Sequence, residues 1–281
     1  MDNTYISILI FVIITVAYYM FPAFGKIPMT LDVLESNDLA SYYKKNIPRL
    51  GFYFLLVIVS QFAFNAIYLI NKCGGNSSSN IGAAAAMTFF PWVLIFGVMM
   101  AVLMMYPGLK TAFSDVVGYF VVAGKANEIL SSILIDTDVN STIESADDMN
   151  PVQKGNMKKS AEAILKLFGN KSILINKMSP ENFLGVWNII KPLFKQNIEN
   201  IDNKQAELLK LVVLKDNIGE GLWYLYTAIL LISIVSYNLA TRGCQKNADQ
   251  LKASHEEYVK QEEAAKAQQD LNNSTTVVLT S

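Results

Sequence analysis

Charge is missing from four long stretches of this chain, and each is bounded by residues of mixed polarity. Residues 6–24 (ISILIFVIITVAYYMFPAF), 50–70 (LGFYFLLVIVSQFAFNAIYLI), 86–106 and 221–240 (GLWYLYTAILLISIVSYNLA) are each close to the roughly 20 apolar residues that a helix needs to cross a bilayer. The pattern predicts four transmembrane helices. For the first stretch a cleaved signal peptide is the rival reading. The start MDNTY holds Asp2 and no basic residue, and the run is longer than a signal core, so a retained anchor is expected. Within the second stretch Gln61 and Asn65 stand four apart on one helical face, placed for intramembrane packing by hydrogen bonds to another helix. A polar transport path is the alternative use of that pair. Pro91 falls in the first turns of the third stretch, and Pro107-Gly108 closes it.

After that exit the period changes. Leu109, Phe113, Val116, Val117, Phe120 and Val121 recur at helical spacing over residues 109–124, with Asp115 elsewhere on the turn. The segment is too short to return across a bilayer and reads as an interfacial helix, apolar face in lipid and Asp115 in water. Residues 126–220 form a helical extramembrane domain with helices at 158–168, at 180–194 and at 204–216. The second opens on Ser179 as N-cap and Pro180 at the first helical position; the third carries an apolar face of Leu208, Leu209, Val212 and Val213. Gly219 and Gly221 are expected to separate that last helix from the fourth span. Residues 241–281 make a charged helical tail with Glu256–Lys260 and Glu262–Lys266 pairs, ending in a disordered NNSTTVVLTS. The fold class is thus all-α, a multi-span helical protein with an extramembrane domain.

Composition narrows the chemistry. Of 281 residues 52% are hydrophobic and 17% charged, against about 25% charged in an ordinary globular chain. The formal net charge of -1 gives no basic field for nucleic acid. With the single His255 in the tail, and without a nucleophile elbow, P-loop or HExxH motif, neither an enzyme nor a bound cofactor is expected. One motif suggests a metal. Asp136, Asp138, Asn140 and Glu144 fall at ligand positions of a twelve-residue calcium loop, with Asp147 at its last position. Ser141 stands where the loop needs glycine, and Asp147 is shorter than the usual glutamate, so an acidic linker is the simpler reading. Lysine and arginine placement puts the 126–220 domain on the cytoplasmic side and both termini opposite. Cys73 and Cys244 then share one face, either bridged or as free thiols. The sequons at Asn76, Asn140 and Asn170 fall on both sides and do not decide orientation.

The order of features, from the N-terminal anchor through the MTLDVL connector and paired spans to YPGLKTAFSDVVGYFVVAGKANEIL, resembles small membrane proteins of nucleocytoplasmic large DNA viruses. The likeness covers about the first 135 residues. That family includes minor capsid proteins linking an internal virion membrane to the capsid shell. The resemblance implies a virion structural component whose partners are the lipid bilayer and other capsid-type proteins; a homo-oligomer is a separate possibility. An oligomeric channel and a calcium-responsive accessory protein are the rival classes.

Overall fold

A computed structural model describes residues 3–36, 38–73, 78–134, 171–244 and 248–277. Its elements are helical, with one isolated antiparallel bridge between Leu134 and Phe194. In chain order the helices are α1 (Asn3–Met20), α2 (Leu31–Glu35), α3 (Leu39–Cys73), α4 (Ser78–Met105), α5 (Tyr119–Ile133), α6 (Phe183–Ile190), α7 (Ile201–Thr241) and α8 (Ala248–Val277). Three of them, α3, α4 and α7, are long and apolar enough to cross a membrane, while α1 is an apolar helix just short of that length.

α1, α3, α4 and α7 pack as a bundle because each carries large apolar side chains at helical spacing. Its centre is aromatic. Phe11, Tyr53, Trp92, Phe96 and Tyr224 are all but completely buried, and their rings contact one another edge-on, stacked or tilted. Above them Ala66, Ala83, Ala84, Val235 and Leu239 form a layer of smaller side chains. Outward-facing residues are apolar as well: Leu9, Ile13, Leu55, Leu94, Ile95 and Ile234 are all about half exposed or more. That surface suits lipid and not water. Pro91 is accommodated inside α4 by a π-helical turn, Trp92–Phe96, that follows directly. A proline removes one backbone donor and crowds the turn before it, and Pro91 does so within the first four turns of the long α4 helix without ending it.

Below the bundle sits a second core. α5, the 3-10 turn Lys171–Lys177, α6 and the first half of α7 enclose Ile129, Leu130, Ile133, Ile175, Phe183, Trp187, Leu208 and Val212. α2 and the start of α3 add Leu34 and Tyr42. Ser179 and Asn182 bond reciprocally across the turn ahead of α6, the Ser179 amide donating to Asn182 Oδ1 at 2.7 Å and the Asn182 amide to Ser179 Oγ at 3.3 Å, so the helix expected from Ser179 and Pro180 starts only at Phe183 with Asn182 as its N-cap.

Several boundaries differ from those the sequence suggests. α1 stops at Met20, because residues 21–24 turn and Pro22 cannot extend the helix. α3 begins well before residue 50 and α4 well before residue 86, so both spans are parts of longer helices. The interfacial stretch is helical from Pro107 onward, through the 3-10 turn Pro107–Lys110 and the π turn Ser114–Gly118, and it continues as α5 to Ile133 rather than ending near 124. Its apolar stripe does face outward, Phe120 and Val121 being strongly exposed. Asp115, expected in water, instead pairs with Lys215 at 2.6 Å. The largest correction concerns α7. It runs unbroken for 41 residues through Gly219 and Gly221, so the segment expected to lie outside the membrane at 204–216 and the candidate span at 221–240 share one helix. The helix expected at 158–168 lies outside the described residues.

Candidate functional site

Where the two cores meet, four charged side chains converge. Asp216 and Glu220 lie one turn apart on α7, which puts both carboxylates on the same face. Lys26 arrives from the connector after α1, and Lys110 from the end of the 3-10 turn that follows α4. Lys110 Nζ lies 3.0 Å from Asp216 Oδ2 and 2.9 Å from Glu220 Oε2. Lys26 Nζ lies 3.0 Å from Glu220 Oε2 and donates to Asn217 Oδ1 at 2.8 Å. The other carboxylate oxygen, Glu220 Oε1, accepts from Tyr19 at 3.0 Å and from Tyr224 at 3.2 Å. Burying charge is costly unless the charges are paired and the remaining lone pairs are used, and this cluster meets both conditions. Burial alone would lower the Lys110 pKa. The carboxylates of Glu220 and Asp216 outweigh it and hold that ammonium well above the ordinary lysine range.

Gly219 explains how the cluster closes. A Cβ there would lie 2.7 Å from the Ser114 Cβ and 2.8 Å from the Lys110 carbonyl oxygen. Gly118 is equally tight, with its virtual Cβ 2.7 Å from the Lys215 carbonyl oxygen. The two glycines let the 107–118 segment lie directly on α7, which delivers Lys110 and Asp115 to their partners. A helix breaker read from sequence is therefore a packing glycine in the structure.

A cavity of about 450 Å³ opens beside this cluster. Its polar end is formed by Lys26, Lys110, Glu220, Tyr42, Tyr43 and Glu181; its apolar wall comes from Ile47, Leu50, Leu103, Met104 and Met105. Tyr43 on α3 donates to Glu181 Oε1 at 2.7 Å, fixing that rim of the opening. Arg49 binds the carbonyls of Pro22 and Gly25, and Asn46 Oδ1 accepts from the Ile27 amide at 2.8 Å, so the connector forming one side is pinned to α3. A second cavity of about 410 Å³ lies on the other side of Asp216, lined by Asp115, Asn176 and Lys215 among others.

The residues singled out by sequence are distributed elsewhere. Gln61 Nε2 donates to the Ser7 carbonyl at 3.0 Å, joining α3 to α1, and Asn65 Nδ2 donates to Thr88 Oγ1 at 2.9 Å, joining α3 to α4. Both are buried. Cys73 and Cys244 form a disulfide at the far end of the bundle, with a Cα–Cα distance of 5.3 Å. Beside it Lys72 Nζ donates to the carbonyls of Leu239, Ala240 and Arg242, capping the last turn of α7. The calcium-loop candidates Asp136, Asp138, Asn140, Glu144 and Asp147 lie outside the described residues. Among the described residues no group of three or more His, Cys, Asp or Glu side chains is placed to hold a metal ion.

Sequence reasoning missed the cluster itself. The available signal was local: an acidic pair four apart just ahead of a charge-free run, and a lysine just beyond the Pro-Gly exit of another. Fold and site together define an all-helical protein with candidate membrane-spanning helices and a paired ion cluster at the base of its bundle. No protein-family model matches the chain, and no curated protein or solved structure matches it.

Proposed function

We propose that this is a non-enzymatic, four-span membrane protein that acts as a structural anchor, tying a membrane to a protein layer. The carrying observation is the continuity of α7, which contributes Leu208 and Val212 to the lower core, Asp216 and Glu220 to the ion cluster, and Tyr224, Leu231 and Leu239 to the bundle. One rigid element thus joins the extramembrane body to the membrane part, and a force on the body passes directly to the bundle. α1 serves as the fourth span: its 18 residues reach about 27 Å, close to the hydrocarbon thickness. The disulfide then lies on the oxidising face and the body on the cytoplasmic one, in keeping with the basic residues around the body. In the finer reading the membrane is the internal membrane of a virion and the layer a capsid-type shell, with other copies and other structural proteins as partners.

The channel reading has less support. Gln61 and Asn65, its polar candidates, are engaged in hydrogen bonds between helices, and aromatic rings fill the bundle between the two ends. Quantitative mass spectrometry on native particles or membranes tests the anchor. Its copy number should keep a fixed ratio to a shell protein after mild detergent removes lipid, and planar bilayers carrying the purified protein should stay silent. Loss of the protein with the lipid, or unitary conductance, would refute the anchor.

A further inference from the structure

We propose that the cavity beside the ion cluster is a binding site for the headgroup of a zwitterionic phospholipid of the phosphocholine type. The polar end of the site presents two kinds of group, ammoniums and, beside them, tyrosines with a carboxylate. An ammonium has three N–H donors. Lys110, whose side chain is 10% exposed, directs two of them at Asp216 and Glu220, and the third has no acceptor among the described residues. Lys26 is engaged in the same way by Glu220 and Asn217 and sits over the Tyr19 ring. A phosphate oxygen in the cavity supplies the acceptor that Lys110 lacks.

The opposite demand comes from the rim. Tyr42, Tyr43 and Glu181 border the same space, and aromatic side chains beside a carboxylate are surroundings that suit a quaternary ammonium. Charge supports a zwitterion over an anion. Lys26 and Lys110 are already balanced by Asp216 and Glu220, and Glu181 leaves one negative charge in excess. A headgroup of net negative charge would add to that excess, whereas phosphocholine places a cation against it.

Shape and position fit a lipid. The volume of about 450 Å³ accommodates a headgroup and glycerol, within the range of roughly 300–1,000 Å³ usual for small-molecule sites. The apolar wall leads outward to Ile47, Met104 and Met105, which are 52%, 46% and 69% exposed. Acyl chains leaving the cavity would follow that wall onto the outer face of the bundle. This inference is independent of the anchor reading, since a bound lipid is equally compatible with a channel.

The test is native mass spectrometry of the full chain after exchange into nanodiscs of equimolar phosphatidylcholine and phosphatidylglycerol. One phosphatidylcholine per chain should survive detergent release. Tyr43→Ala combined with Glu181→Gln, a pair outside the ion cluster, should reduce that occupancy about fivefold, the scale expected for losing a solvent-accessible cation–π contact together with its carboxylate. An unchanged thermal midpoint shows that the variant is folded; should it fall, Tyr43→Phe with Glu181→Gln tests the carboxylate while keeping the ring. Preferential retention of phosphatidylglycerol, retention of neither lipid, or unaltered occupancy in a folded variant would overturn the proposal. So would displacement of the lipid by millimolar soluble glycerophosphocholine, which would mark the site as one for a free phosphoester.

Discussion

Glu220 is the residue on which most depends. Its carboxylate is shared by Lys26, Lys110, Tyr19 and Tyr224, and its side chain is only 8% exposed. Glu220→Gln keeps the volume but leaves two buried ammoniums facing one carboxylate. Removal of one member of a buried pair costs roughly 3–5 kcal/mol, so the thermal midpoint in detergent should drop sharply. Lys26→Met added to that variant restores neutrality and should recover part of the loss; an unaltered midpoint in the single variant would show that the cluster carries no stability. The members of the cluster left a local trace in the sequence, but their pairing did not. Lys26 and Glu220 are 194 positions apart, and pairing over such a distance leaves no local pattern. The case of Gln61 and Asn65 is intermediate: their spacing showed a common face, but their partners Ser7 and Thr88 depend on how three helices are arranged. Lys110 adds an alkaline-pH expectation. Since its folded pKa is raised, its contribution is fully present below the unfolded value near 10.4 and is lost only as pH climbs through the higher folded value.

Among the elements, charge-free runs were the readable ones. α3, α4 and α7 all contain the stretches their hydropathy marked, because a run that cannot be solvated must be covered by helices or lipid. Their ends were less readable, since a polar sequence such as residues 201–216 gives no sign that it extends the same helix. Gly219 shows why. Helix propensity argues for a break there, and the close approach of Ser114 and Lys110 argues for a glycine without one. At the far end of the bundle the Cys73–Cys244 bridge and Lys72 hold the last turn of α7 against α3. The bridge spans 171 positions, and in the chain-entropy account closing so long a loop contributes on the order of 5 kcal/mol. Cys73→Ser should therefore lower the unfolding midpoint, and reducing the wild-type protein should lower it equally. Were reduction to leave the midpoint unmoved, the bridge would have no part in stability.

At the scale of the whole molecule, the proposed topology would place protein on both faces of the membrane, the body on one and α8 on the other. Residues 252–272 of α8 are overwhelmingly exposed and polar, and Lys266 pairs with Glu262 along the surface at 2.8 Å. Deleting residues 245–281 leaves both cores, the ion cluster and Cys244 intact. The truncated protein should remain in the membrane fraction while losing any partner held by the tail; a full partner complement after truncation would assign contact to the body instead. The continuity of α7 has a further consequence, in angular phase. Each residue of an α-helix turns the chain by about 100°. One alanine inserted after Asn217 would swing the lower core about that far around the bundle, carrying Asp216 away from Glu220 and the Phe120 stripe away from the bilayer plane. This rod cannot change length by a single residue without that turn: its two ends keep a fixed rotational setting, as gears on one shaft do.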